Sequence, residues 1–87
     1  MHVAEQAAGQ SVRRVLSEDI LTIAEARAEI ARVTGRRCRP DKATMTRWIQ
    51  RGVGEGDAKV KLEAIRLGRQ WFTSRQSITR FIEARSK

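Results

Sequence analysis

Polar side chains crowd one short stretch, "TMTRWIQRG", at residues 44–52, among them Thr46, Arg47, Gln50 and Arg51. Arginine presents a planar fork of N–H donors that pairs two-pronged with guanine. Glutamine pairs likewise with adenine, and threonine reaches a base or a phosphate. On a helical wheel at 100° per residue, Met45, Trp48 and Ile49 fall within an arc of about 100°. The opposite arc carries Ala43, Arg47 and Gln50, flanked by Thr46 and Arg51. This outer face has no acid and no large apolar side chain, whereas a general solvent face mixes both signs of charge. Ala43 leaves room for the helix to sit close to a groove floor. Trp48 falls on the buried arc, so it is expected to anchor the helix while its neighbours make contacts. An ordinary basic surface helix is the competing reading of the same pattern.

Other chemistry finds little support. His2 is the only histidine and Cys38 the only cysteine. A reactive thiol at Cys38 is one reading of its basic loop, but a small buried side chain is the expected role. The acids Glu25, Glu29, Glu55, Asp57 and Glu63 are scattered and fit helix-surface or loop positions. Metal-ligand spacing is absent, and no phosphate-cradling glycine loop of the GxxxxGK[ST] kind occurs. The chain is therefore expected not to be an enzyme and to need no cofactor, metal or small molecule.

The elements that must position these residues follow from pattern. With 87 residues the chain is expected to form one domain. Residues 1–19 read as a weakly ordered segment, in which "SVRRVL" could make one helical turn packing Val12, Val15 and Leu16. The folded domain is placed at 20–85. Thr22 and Glu25 form a capping box, and Ile23, Ala26, Ile30 and Val33 recur at helical spacing up to Gly35, predicting a helix over 23–34. Arg27 lies inside that apolar arc and is expected to snorkel to its rim. "RRCRP" at 36–40 reads as a basic loop. Asp41 suits an N-cap, so a second helix is predicted over 42–51, stopped by Gly52. After a loop at 53–59, Gly68-Arg69 between two apolar runs signals a type II′ hairpin. Its register would face Leu67 with Gln70, Arg66 with Trp71 and Ile65 with Phe72, and a cation–π contact of Arg66 on Trp71 would stiffen it. Thr73 with Gln76 reads as a second capping box, opening a helix over 74–84 with an Ile78, Phe81, Ile82 stripe. The expected architecture is mainly α with a small β-hairpin, ordered helix, helix, hairpin, helix.

Charge narrows the function. The net charge is +8, with a sequence pI near 11.3. Residues 1–35 hold four basic and five acidic side chains, whereas 36–87 hold fourteen basic and five acidic. Fourteen of the eighteen cationic residues are arginine. Beyond solubility, such a balance points to an acidic partner, nucleic acid being the commonest. No apolar run approaches the roughly 20 residues of a membrane span, and "MHVAEQAAGQ" has no apolar signal core. A lone cysteine fits a reducing compartment, so a cytoplasmic location is expected.

Taken in order, "LTIAEA", "TMTRWIQRG" and "LEAIRLGRQWFTSRQSITRFIEA" resemble the excisionase and MerR-type winged helix-turn-helix family over roughly residues 20–84. The likeness is nearest to small excisionase-like bacterial proteins of unassigned function. The resemblance implies a winged helix-turn-helix (helix-helix-hairpin-helix) that binds duplex DNA. Thr46, Arg47, Gln50 and Arg51, with Ala43 among them, would read the major groove. Arg66 and Arg69 would form the wing, and Trp48 would be core. Lys42 and the loop arginines Arg36, Arg37 and Arg39 would hold phosphates. The loop is longer than the family's tight turn, so these arginines either add phosphate contacts or decorate a loose connection. The implied role is architectural or regulatory, in excision or transcription control in a mobile element. The implied partners are duplex DNA and an integrase, recombinase or second copy of the chain, with no membrane. RNA binding through the same basic surface is a competitor, although exposed stacking aromatics are scarce. A protein-interaction module is another.

Overall fold

The computed structural model describes residues 12–86. Its elements are α1 (residues 12–16), β1 (Ile20–Thr22), α2 (Ile23–Val33), α3 (Lys42–Gln50), β2 (Ile65–Leu67), β3 (Gln70–Ser74) and α4 (Arg75–Arg85). A short 3-10 turn at Gly56–Ala58 interrupts the α3–β2 connection. The described residues thus form a mixed domain of four helices and one small antiparallel sheet.

The anticipated hairpin is present in its anticipated register: Ile65 faces Phe72, Arg66 faces Trp71 and Leu67 faces Gln70. Gly68 holds φ 62 at the first central turn position, a conformation open to glycine at little cost. The sheet is larger than the hairpin, however. β1 pairs antiparallel with the far side of β3, giving the order β1-β3-β2. The third strand supplies what a two-stranded ribbon lacks, since an isolated hairpin is marginal in water.

Local capping sets the helix ends. At α2 the Thr22 hydroxyl accepts from the Glu25 amide, and the Glu25 carboxylate accepts from the Thr22 amide. Its other end closes as a Schellman turn. The Arg36 amide donates to Ala31 and the Gly35 amide to Arg32, with Gly35 at φ 62 and Arg36 at φ 66. The second expected capping box is corrected by one residue. Ser74, not Thr73, caps α4, its hydroxyl accepting from the Ser77 amide. Thr73 instead donates its buried hydroxyl to the Glu63 carbonyl at 2.7 Å, and Gln76 turns away to Asp19. Because β1 pairs Ile20 with Ser74, the strand runs one residue further before the helix begins.

The core collects Ala26 and Ile30 from α2, Met45 and Ile49 from α3, and Ile78 and Phe81 from α4, with Leu21 and Leu62. Val33, expected inside, is 48% exposed. Of the weakly ordered segment expected at 1–19, residues 1–11, with His2, lie outside the described residues. Packing reaches N-terminal of residue 20. Val15 is fully buried, whereas Val12 and Leu16 of the same helix stand exposed. Glu18 accepts from Arg80 at 2.6 Å and from the Ser74 hydroxyl at 2.6 Å. No helix among the described residues is long and apolar enough to cross a membrane.

Candidate nucleic-acid interface

α3 is built to present one face. Asp41 begins it, its carboxylate accepting from the Thr44 amide at 2.7 Å. That hydrogen bond holds the Asp41 carboxyl below its ordinary 3.8. Gly52 ends it at φ 79, where a Cβ would lie 2.6 Å from the Val60 carbonyl oxygen. Between these ends Met45 and Ile49 are buried and Trp48 is half-buried against Phe81. Val53 and Val60 bridge the chain just beyond, and the Leu62 amide donates to the Trp48 carbonyl. The helix is therefore fastened by its apolar face and both ends.

Its opposite face carries the residues singled out from sequence. Lys42, Ala43, Thr46, Arg47, Gln50 and Arg51 line one shallow, open surface. Thr46 is half-buried and donates its hydroxyl to the Lys42 carbonyl at 3.0 Å, so outward it offers lone pairs and a methyl group.

The hairpin tip approaches from one side. A cleft of about 270 Å³ lies between it and α3, lined by Arg69, Gln70 and Trp71, by Lys42 and Thr46, and by the start of α2. Arg66 lies over the Trp71 ring at 5.4 Å, the cation–π contact expected for the hairpin. Arg36, Arg37 and Arg39 are exposed on the α2–α3 connection, outside both lining sets. That connection is tethered. The Thr34 hydroxyl binds the Cys38 backbone, Pro40 is buried, and Arg27 donates Nε to the Pro40 carbonyl at 2.7 Å. Arg27 thus snorkels as expected, and its target is the loop. Cys38 is exposed rather than buried, because its backbone, not its side chain, is what the tether holds.

Every ion pair among the described residues joins Arg14, Arg32, Arg75 or Arg80 to Glu18, Asp19, Glu29 or Glu63. Hydrogen bonds from Arg80 and Arg32 hold the Glu18 and Glu29 carboxyls, respectively, below their ordinary values. Glu25 and Asp41 are engaged in caps. Lys42, Arg47, Arg51, Arg66 and Arg69 take part in none of these ion pairs. From sequence, Thr22 reads as a cap, Arg27 as a snorkelling side chain, and Gln70 and Trp71 as members of hairpin pairs; that they line one cleft is not legible there, because they come from three separated elements and no local spacing brings them together.

The fold and this surface define a small mixed α/β domain with a basic face whose cations join no ion pair among the described residues. A family model described as "Protein of unknown function (DUF1580)" matches residues 26–86, and the chain belongs to that family. No curated protein and no solved structure matches it.

Proposed function

We propose that the protein binds duplex DNA as a winged helix-turn-helix module of the excisionase and MerR type, with a non-enzymatic, architectural or regulatory role. α2 and α3 would form the helix-turn-helix and the β2–β3 hairpin the wing. One observation carries the reading: the outer face of α3 and the adjoining hairpin tip offer cations that join no ion pair among the described residues, while the described ion pairs engage other arginines. Arg47 and Gln50 would meet base edges, and Arg69 and Lys42 phosphates. The tethered connection would hold Arg36, Arg37 and Arg39 against the backbone further along. A bacterial cytoplasmic setting, and a recombinase or second copy on the same DNA, belong to this proposal.

Selection from a random duplex pool, with single-stranded RNA as competitor, tests it. The expected result is a shared motif among retained duplexes that the RNA does not displace. Binding of neither nucleic acid at low salt would overturn the proposal, and preferential retention of the RNA would move it to another class.

A further inference from the structure

The cleft between α3 and the hairpin tip has a lining of two kinds. Arg27, Lys42 and Arg69 bring positive charge from three elements, and no carboxylate is among the lining residues. Ile23, Ala24 and the half-buried indole of Trp71 supply apolar surface beside them. Arg27 is partly committed through its Nε to Pro40, whereas Lys42 and Arg69 are exposed and join no ion pair among the described residues. Arg66 is not a lining residue; it packs on the Trp71 ring. Lys42 and Thr46 line both the cleft and the outer face of α3, so the two surfaces are continuous.

Cations beside an apolar wall match one chemical unit of a nucleic-acid strand, an anionic phosphate joined to a largely apolar sugar. We infer that this cleft seats a single sugar–phosphate unit, the phosphate between Arg69 and Lys42 and the deoxyribose against Trp71 and Ile23. The inference rests on the duplex-binding reading and goes beyond it. Two cations from different elements share one phosphate, Trp71 becomes a ligand-facing residue, and Arg66 acts by positioning Trp71 rather than by touching the strand. A phosphate held from both sides also sets the spacing between hairpin and helix on the duplex.

The test is a methylphosphonate scan, neutralising one phosphate at a time in a selected duplex. The unaltered protein should lose roughly ten-fold or more in affinity at the seated position, the scale of a charged hydrogen bond. Arg69→Gln and Lys42→Gln, both at exposed positions that leave the core intact, should each become insensitive at that same position. Arg51→Gln, outside the cleft, should keep the sensitivity. If Arg69→Gln and Lys42→Gln lose sensitivity at two different phosphates, the shared seat is wrong and the duplex reading stands. If no duplex binds, that reading fails, and the seat is judged by titrating thymidine 5′-monophosphate while following the Trp71 indole N–H resonance. A shift in the unaltered protein that disappears in Arg69→Gln retains the seat. No shift overturns it.

Discussion

Trp48 and Phe81 lie with ring centroids 5.0 Å apart and planes inclined by 35°, a tilted aromatic pair joining α3 to α4. The Trp48 carbonyl also accepts from the Leu62 amide at 3.1 Å. One residue thus fixes the angle of α3 through its ring and the path of the following loop through its backbone. Trp48→Ala should cost about 3 kcal/mol of stability, the low end for large aromatic truncations because the ring is only half-buried. Urea denaturation measures this. A variant of unchanged stability that no longer binds DNA would make Trp48 a contact residue instead.

Arg47 sits on the exposed face of α3 without an ion pair among the described residues. Arg47→Ala should weaken binding to the best duplex by about 1–3 kcal/mol and relax the preference at one base pair. Competition titrations against single-base variants read both effects. Equal weakening on every sequence would assign Arg47 to the phosphates.

Acid should loosen the ties to α4 that Glu18 makes from the chain before β1 and Glu29 makes from α2. Glu18 and Glu29 have carboxyls held below the ordinary 4.5 by arginine hydrogen bonds. A carboxyl with a depressed folded pKa contributes stability that is fully present above its unfolded value. That stability is lost as pH falls through the folded value. The urea midpoint should therefore hold from neutrality towards pH 4.5 and drop below it. Glu18→Gln should shrink the drop, and an identical profile in that variant would remove Glu18 from the account.

Two glycines separate steric from conformational cost. Gly35 holds φ 62, and a Cβ there would meet nothing within 4 Å, whereas at Gly52, φ 79, a Cβ would meet the Val60 carbonyl oxygen at 2.6 Å. Gly35→Ala should cost about 1 kcal/mol through its backbone alone. Gly52→Ala should cost more, because the Val53–Val60 bridge must also give way. Thermal unfolding of the pair decides; equal losses would show that the bridge yields freely.

Most local features were legible in the sequence. The Thr22 capping box, the Asp41 cap and the Gly68 hairpin each involve residues a few positions apart, and their geometry is set by short-range hydrogen bonds. The outer face of α3 was legible for the same reason, since helical periodicity alone places Arg47 and Gln50 opposite Met45 and Ile49. β1 was not. Ile20, Leu21 and Thr22 are too short a run to show alternation, and their partner lies at the other end of the domain. That omission also misplaced the cap of α4, because Thr73 and Ser74 are both hydroxyl residues and only the pairing of Ile20 with Ser74 decides between them. The cleft stayed hidden because Arg27, Lys42 and Trp71 meet only in the assembled fold.

The central place of β3 has a kinetic consequence. β2 can find it across a two-residue turn, but β1 must wait for residues 72–74 to be synthesised and then close a loop spanning most of the domain. Loop closure on that scale is entropically costly and slow compared with hairpin formation. The β1–β3 ladder should therefore form late. Until it does, a nascent chain would carry α2 capped but without its sheet, and β3 with one edge open to other strands.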